Sequence, residues 1–175
     1  MFETLDIQQI LPQSYPFLMI DRIESFEKDK SLTAIKNITG NEWIFEGQSY
    51  PDAETPSSDK NLKAFQSGLR PTNVFPETLL IEAAAQAAIA FYRLNTVSQE
   101  NDRPIYLGQI KAEFFHPVFI GDEILLKVTP GRMLGKSGYA FVDALRTQEK
   151  IAEMQIFYSV LDRDLEGKDS LGESS

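Results

Sequence analysis

Cysteine is absent from this 175-residue chain, and histidine occurs once, as His116. Those two shortages exclude a thiol nucleophile, an iron–sulfur cluster and any metal site built on several imidazoles. Only carboxylates remain as metal ligands, and no metal or other cofactor is expected. A Ser-His-Asp arrangement would depend wholly on His116. Basic charge is also scarce: 17 Lys and Arg stand against 26 Asp and Glu, a net charge of −9. Phosphate neutralisation needs the opposite surplus, so nucleic acid is not an expected partner. Neither is a membrane, because no apolar run approaches the roughly 18 residues of a spanning helix. The first residues, Met1-Phe2-Glu3-Thr4-Leu5-Asp6, lack the positive start and apolar stretch of a signal segment, and the expected location is cytoplasmic.

What the chain does have is enough apolar sequence for one core. At this length roughly 70% of the unfolded surface can be buried without a disulfide or metal. A single domain is expected over residues 1–161, with a polar insertion loop at about 47–70 and a polar C-terminal tail at 162–175. The strongest periodic signal is a helix from residue 76 to about 95. Proline suits its first turn, Glu77 suits the positive end of its dipole, and Asn95 is available to end it. Its apolar residues, many of them alanine, cover nearly the whole circumference, which marks a buried helix. The exceptions fall in one stripe of Glu82, Gln86 and Arg93, at spacings of four and seven.

Strands are expected at residues 17–26, 32–38, 105–115, 123–129, 137–147 and 150–161, where apolar and β-branched runs are bounded by Gly, Pro and Asp. Strands, one wholly apolar helix and then several strands with no helix between them describe an α+β protein. Its antiparallel sheet is expected to wrap around a long central helix.

Three segments carry a family resemblance. The first is Leu11-Pro12-Gln13-Ser14-Tyr15-Pro16-Phe17, continued by Ala34-Ile35-Lys36-Asn37-Ile38-Thr39-Gly40-Asn41-Glu42. The second, Phe75-Pro76-Glu77-Thr78-Leu79-Leu80-Ile81-Glu82-Ala83-Ala84-Ala85-Gln86, is similar to MPGxLIxEAxAQ. The third, Lys111-Ala112-Glu113-Phe114-Phe115-His116-Pro117-Val118-Phe119-Ile120-Gly121-Asp122, is similar to KxxFxxPVxPGD. In this order and spacing they resemble the 3-hydroxyacyl-[acyl-carrier-protein] dehydratases of the FabA/FabZ type.

The resemblance implies a hotdog fold and an acyl-thioester site at a dimer interface. There, a histidine of one subunit and a helix carboxylate of the other eliminate water. The carboxylate carries over to Glu82. The histidine position, within GHFPG, matches Gln48, or Gln66 if the insertion lies earlier. Glutamine can hydrogen-bond a hydroxyl or carbonyl, but its amide cannot take the α-proton. Tyr50 and Asp52 lie beside Gln48 and are loop residues on the simplest reading, and His116 falls in the wrong segment.

Glu82 is therefore the candidate catalytic acid, a group type that can deliver a proton to a leaving hydroxyl. Gln48, Gln86, Phe75, Pro76 and Glu77 are the candidate substrate contacts. The expected function is binding of 3-hydroxyacyl or enoyl thioesters in fatty-acid or polyketide-like biosynthesis, on acyl carrier protein or coenzyme A. Its catalysis is expected to be impaired or partner-dependent. The partners implied are acyl carrier protein and a second subunit, as a homodimer or as a heterodimer with a histidine-bearing dehydratase. A non-catalytic acyl-binding scaffold and a hotdog thioesterase are the alternatives.

Overall fold

The computed structural model describes residues 4–45, 73–96, 103–134 and 136–161. Gln48, Gln66, Tyr50, Asp52, the whole of the expected insertion and the expected tail lie outside them. Along the chain come α1 (Thr4–Ile10), β1 (Arg22–Glu27), β2 (Ser31–Asn37), a 3-10 turn (Trp43–Phe45), β3 (Val74–Phe75) and α2 (Glu77–Asn95). They are followed by β4 (Ile105–Phe114), β5 (Val118–Phe119), β6 (Glu123–Leu134), β7 (Ser137–Arg146) and β8 (Glu149–Val160). Six strands form one antiparallel sheet in the order β1-β2-β6-β7-β8-β4, and β3 pairs separately with β5. One face of the large sheet curls around α2, which is the hotdog arrangement implied by the motifs.

The core is built where that face meets the helix. Along β7 and β8 burial alternates, so that Ala140, Val142, Ala144, Met154, Ile156 and Tyr158 face inward. This is the period-2 pattern of a sheet with one covered face. On α2, Ala83, Ala84, Ala87 and Ala90 have no exposed surface. Their small side chains let the helix backbone approach the sheet closely, so the alanine-rich composition sets the layer spacing.

α2 begins after Pro76, whose φ of −62° and ψ of 135° are extended, and no side chain caps it. Its C-terminus is closed locally: Asn95 Nδ2 donates to the Phe91 carbonyl at 2.8 Å, and Thr96 Oγ1 donates to that of Tyr92 at 2.7 Å. Asn95 Oδ1 also accepts from Asp29 N at 2.6 Å, tying the helix end to the β1–β2 turn, where Asp29 has a φ of 60°.

The first strand departs from the expected residues 17–26 by starting at Arg22. Residues before it form a turn, in which Ser14 O accepts from Phe17 N at 2.8 Å and Leu18 N at 3.0 Å. The Phe17 carbonyl and the Met19 N–H pair with a helix side chain instead of a neighbouring strand.

Candidate active site

The polar stripe of α2 faces the N-terminal segment. Gln86 has no exposed surface, and its amide is fully engaged. Its Oε1 accepts from Met19 N at 2.8 Å, while Nε2 donates to the Phe17 carbonyl at 2.6 Å and to Glu82 Oε1 at 2.7 Å. Two turns further on, Arg93 Nη1 donates to the Ile10 carbonyl at 2.7 Å. Gln86 and Arg93 thus organise the backbone running from Ile10 to Met19, and Gln86 also holds Glu82.

This arrangement fixes Glu82. The residue is half-buried on the second turn of α2, and Gln86, one turn on, holds one carboxylate oxygen. In the chain by itself Gln86 orients Glu82 and has no polar atom left for a ligand. Phe17, whose carbonyl Gln86 holds, is 59% exposed, and its ring lies 6.4 Å from that of Trp43, itself 40% exposed. A carboxyl beside solvent-facing aromatic surface is chemically suited to proton transfer on an acyl ligand with an apolar chain.

Of the other expected substrate contacts, Phe75 is buried at the end of β3, Pro76 is half-buried and Glu77 is exposed at the helix start. All three share the N-terminal end of α2 with Glu82. Gln48 lies outside the described residues.

The third motif wires this end of the helix to the sheet. β5 pairs with β3 through Val74 opposite Phe119 and Phe75 opposite Val118. The turn after β5 is held by Asp122, whose Oδ2 accepts from Phe119 N at 2.9 Å and from Arg146 Nη1 at 2.8 Å. Arg146 also donates to Glu149 at 2.6 Å. Partial burial works against its charge, yet the hydrogen bonds to Glu149 and Asp122 outweigh it and hold Arg146 above its ordinary value. The same hydrogen bond, aided by the charges of Arg146 and His116, holds Glu149 below its ordinary value. His116 lies in this cluster, 3.5 Å from Glu149, and is not among the hydrogen-bond partners of Glu82.

Among the described residues no three Asp, Glu or His side chains converge as a metal site requires, and no helix is long and apolar enough to cross a membrane. Sequence reasoning did not single out Lys36 and Glu42. Lys36 is buried on β2 and forms an ion pair with Glu42. The signal was available, since strand alternation from Leu32 and Ala34 points Lys36 inward.

Comparison with known proteins agrees with this architecture. The model of the FabA-like domain matches residues 11–58. The 3-hydroxyacyl-[acyl-carrier-protein] dehydratase FabZ of Vibrio atlanticus is 38% identical over 125 residues, covering 70% of this chain and 69% of that protein. The dehydratase of the same name from Chlamydia trachomatis is 33% identical over 164 residues, covering 91% and 92%. Among solved structures, the dehydratase heterocomplex ApeI:P from Xenorhabdus doucetiae superposes with a TM-score of 0.64 at 13% identity, covering 90% of this chain and 92% of that one. The sigma28-regulated virulence protein Cj0977 of Campylobacter jejuni gives 0.58 at 15% identity, covering 90% and 97%. With the fold shared, the sequence identity assigns this chain to the 3-hydroxyacyl-[acyl-carrier-protein] dehydratase FabZ family.

Proposed function

We propose that this protein binds 3-hydroxyacyl and enoyl thioesters carried on acyl carrier protein, and that its own water elimination is impaired or completed by a second, histidine-bearing subunit. The observation that carries the reading is Glu82, held by Gln86 at the family's carboxylate position, in a chain whose only histidine pairs with Glu149. In the elimination a base removes a proton from C2, the C2–C3 double bond forms, and the C3–O bond breaks as an acid protonates the departing hydroxyl to water. Glu82 fills the acid role. Gln48, at the sequence position of the base, cannot accept the C2 proton.

A shared site needs a second subunit, and the sheet offers it an edge. β4 pairs with β8 and ends the strand order, with Tyr106 54% and Leu107 46% exposed. An edge strand with unpaired backbone groups is a ready template for another chain.

The test is turnover of a 3-hydroxyacyl-acyl-carrier-protein substrate, followed by enoyl formation. The protein alone is expected to run roughly 10²–10⁴-fold below a variant in which Gln48→His restores a base. Glu82→Gln is expected to abolish the restored turnover. Full turnover by the unaltered protein that survives Glu82→Gln overturns the reading, and release of free thiol without enoyl product points to thioester hydrolysis.

A further inference from the structure

β2 places a lysine where an apolar side chain belongs. Lys36 lies on the covered face after Leu32 and Ala34, opposite the buried Ile124, and is itself only 4% exposed. Removing an ammonium from water is costly unless it is paired. Here Nζ donates to the Asn37 carbonyl at 2.7 Å and to the Glu42 carboxylate, with the Asp21 carboxylate 4.0 Å away. The ammonium also lies 6.0 Å from the centroid of the Phe75 ring, within cation–π range.

This one cation therefore joins three pieces of the fold. It belongs to β2. Through Glu42, whose side chain is 13% exposed and whose carbonyl accepts from Phe45 N at 2.9 Å, it holds the Trp43–Phe45 turn. Through Phe75 it meets the last residue of β3, next to Pro76 and the start of α2. With its partners already in the protein and almost no exposed surface, Lys36 is not placed to give a proton to a ligand. Fold stability alone is a weak reason for the pair, because buried ion pairs replaced by apolar groups of like size are often neutral or stabilising.

We infer that Lys36 is a positioning residue of the thioester site: it locks the Trp43–Phe45 turn to Phe75 and so fixes the start of α2, and with it Glu82. The inference rests on the thioester-binding reading above. The deciding variant is Lys36→Met combined with Glu42→Gln, which removes both charges together. Trp43 is the only tryptophan, so its emission reports on the turn directly.

In a thermal melt the double variant is expected to unfold cooperatively within a few degrees of the unaltered protein. Acrylamide is expected to quench its Trp43 emission about twofold more strongly. Its affinity for a 3-hydroxydecanoyl-pantetheine thioester is expected to fall about tenfold or more, because the turn and helix start that would hold the ligand are no longer preorganised. If the double variant fails to fold, Lys36→Gln combined with Glu42→Gln, which also removes both charges but keeps hydrogen-bonding side chains, is expected to show the same two changes. Unchanged affinity in the folded variant, whatever its quenching, overturns the role of Lys36. An unaltered protein with no affinity for the thioester overturns the functional reading instead.

Discussion

At the scale of single residues, Gln86 has the largest influence for its size. Its amide satisfies a buried N–H on Met19 and the carbonyl of Phe17, and it holds Glu82. Gln86→Met preserves the volume but leaves those groups without a partner. A loss of about 1–3 kcal/mol is expected, the usual cost of an unsatisfied buried polar group. Urea denaturation checks it, as a lower midpoint with the same slope. Glu82→Gln should behave oppositely, because it keeps an oxygen for Gln86: a midpoint close to that of the unaltered protein is expected, which makes it a clean probe of chemistry.

Glu149 adds a pH signature at the same scale. The hydrogen bond from Arg146 holds its carboxyl below the ordinary 4.5. A carboxylate lowered by folding contributes stability that is fully present above 4.5 and is lost as pH falls through the lowered value. The melting temperature of Glu149→Gln is therefore expected to lie below that of the unaltered protein near neutrality and to converge with it as the solution is acidified. With Glu149 46% exposed, screening keeps the difference under about 1 kcal/mol, and added salt shrinks it further.

At the scale of elements, the alanines of α2 make a sharp prediction. Ala87 has no exposed surface, and a leucine there must push helix and sheet apart. Ala87→Leu is expected to destabilise by about 1–3 kcal/mol, measurable as a lower denaturant midpoint. Gly108, at the irregularity in β4, obeys the same logic on the outer face, since an added Cβ would sit 2.6 Å from Phe157 Cδ1.

The helix was legible because its apolar residues run all round and its ends carry Pro76 and Asn95. The long strands β2, β4, β6, β7 and β8 were legible because alternation and turn residues agree. α1 was overlooked although Ile7, Ile10 and Leu11 follow helical spacing, and Ile7 and Leu11 are buried. β3 and β5 have two residues each, too few for any periodicity. The link from Glu82 to Gln86 could be read as one helical turn. The partners of Gln86 could not, because Met19 and Phe17 lie 67 and 69 residues away in sequence.

At the scale of the whole molecule the question is whether the site belongs to one chain or two. The exposed edge of β4 predicts that Leu107→Glu weakens self-association, seen as a smaller sedimentation coefficient at equal concentration. Complementation decides the sharing of the site more directly. One variant carries Gln48→His with Glu82→Gln, so on the proposed reading it has the base and lacks the acid, while the unaltered protein has the acid and lacks the base. If base and acid come from different subunits, neither homodimer turns over substrate. A mixed dimer, however, unites the introduced imidazole of one chain with Glu82 of the other in half of its sites and leaves the other half with neither group. Enoyl formation in the mixture is therefore expected to rise roughly 10²–10⁴-fold above the sum of the two proteins measured separately. The gain should disappear when Leu107→Glu is introduced into both chains, since without the interface the two groups have no common site. A mixture no more active than its components, at concentrations where sedimentation shows subunit exchange, overturns the shared-site reading and leaves Glu82 without a base in either chain.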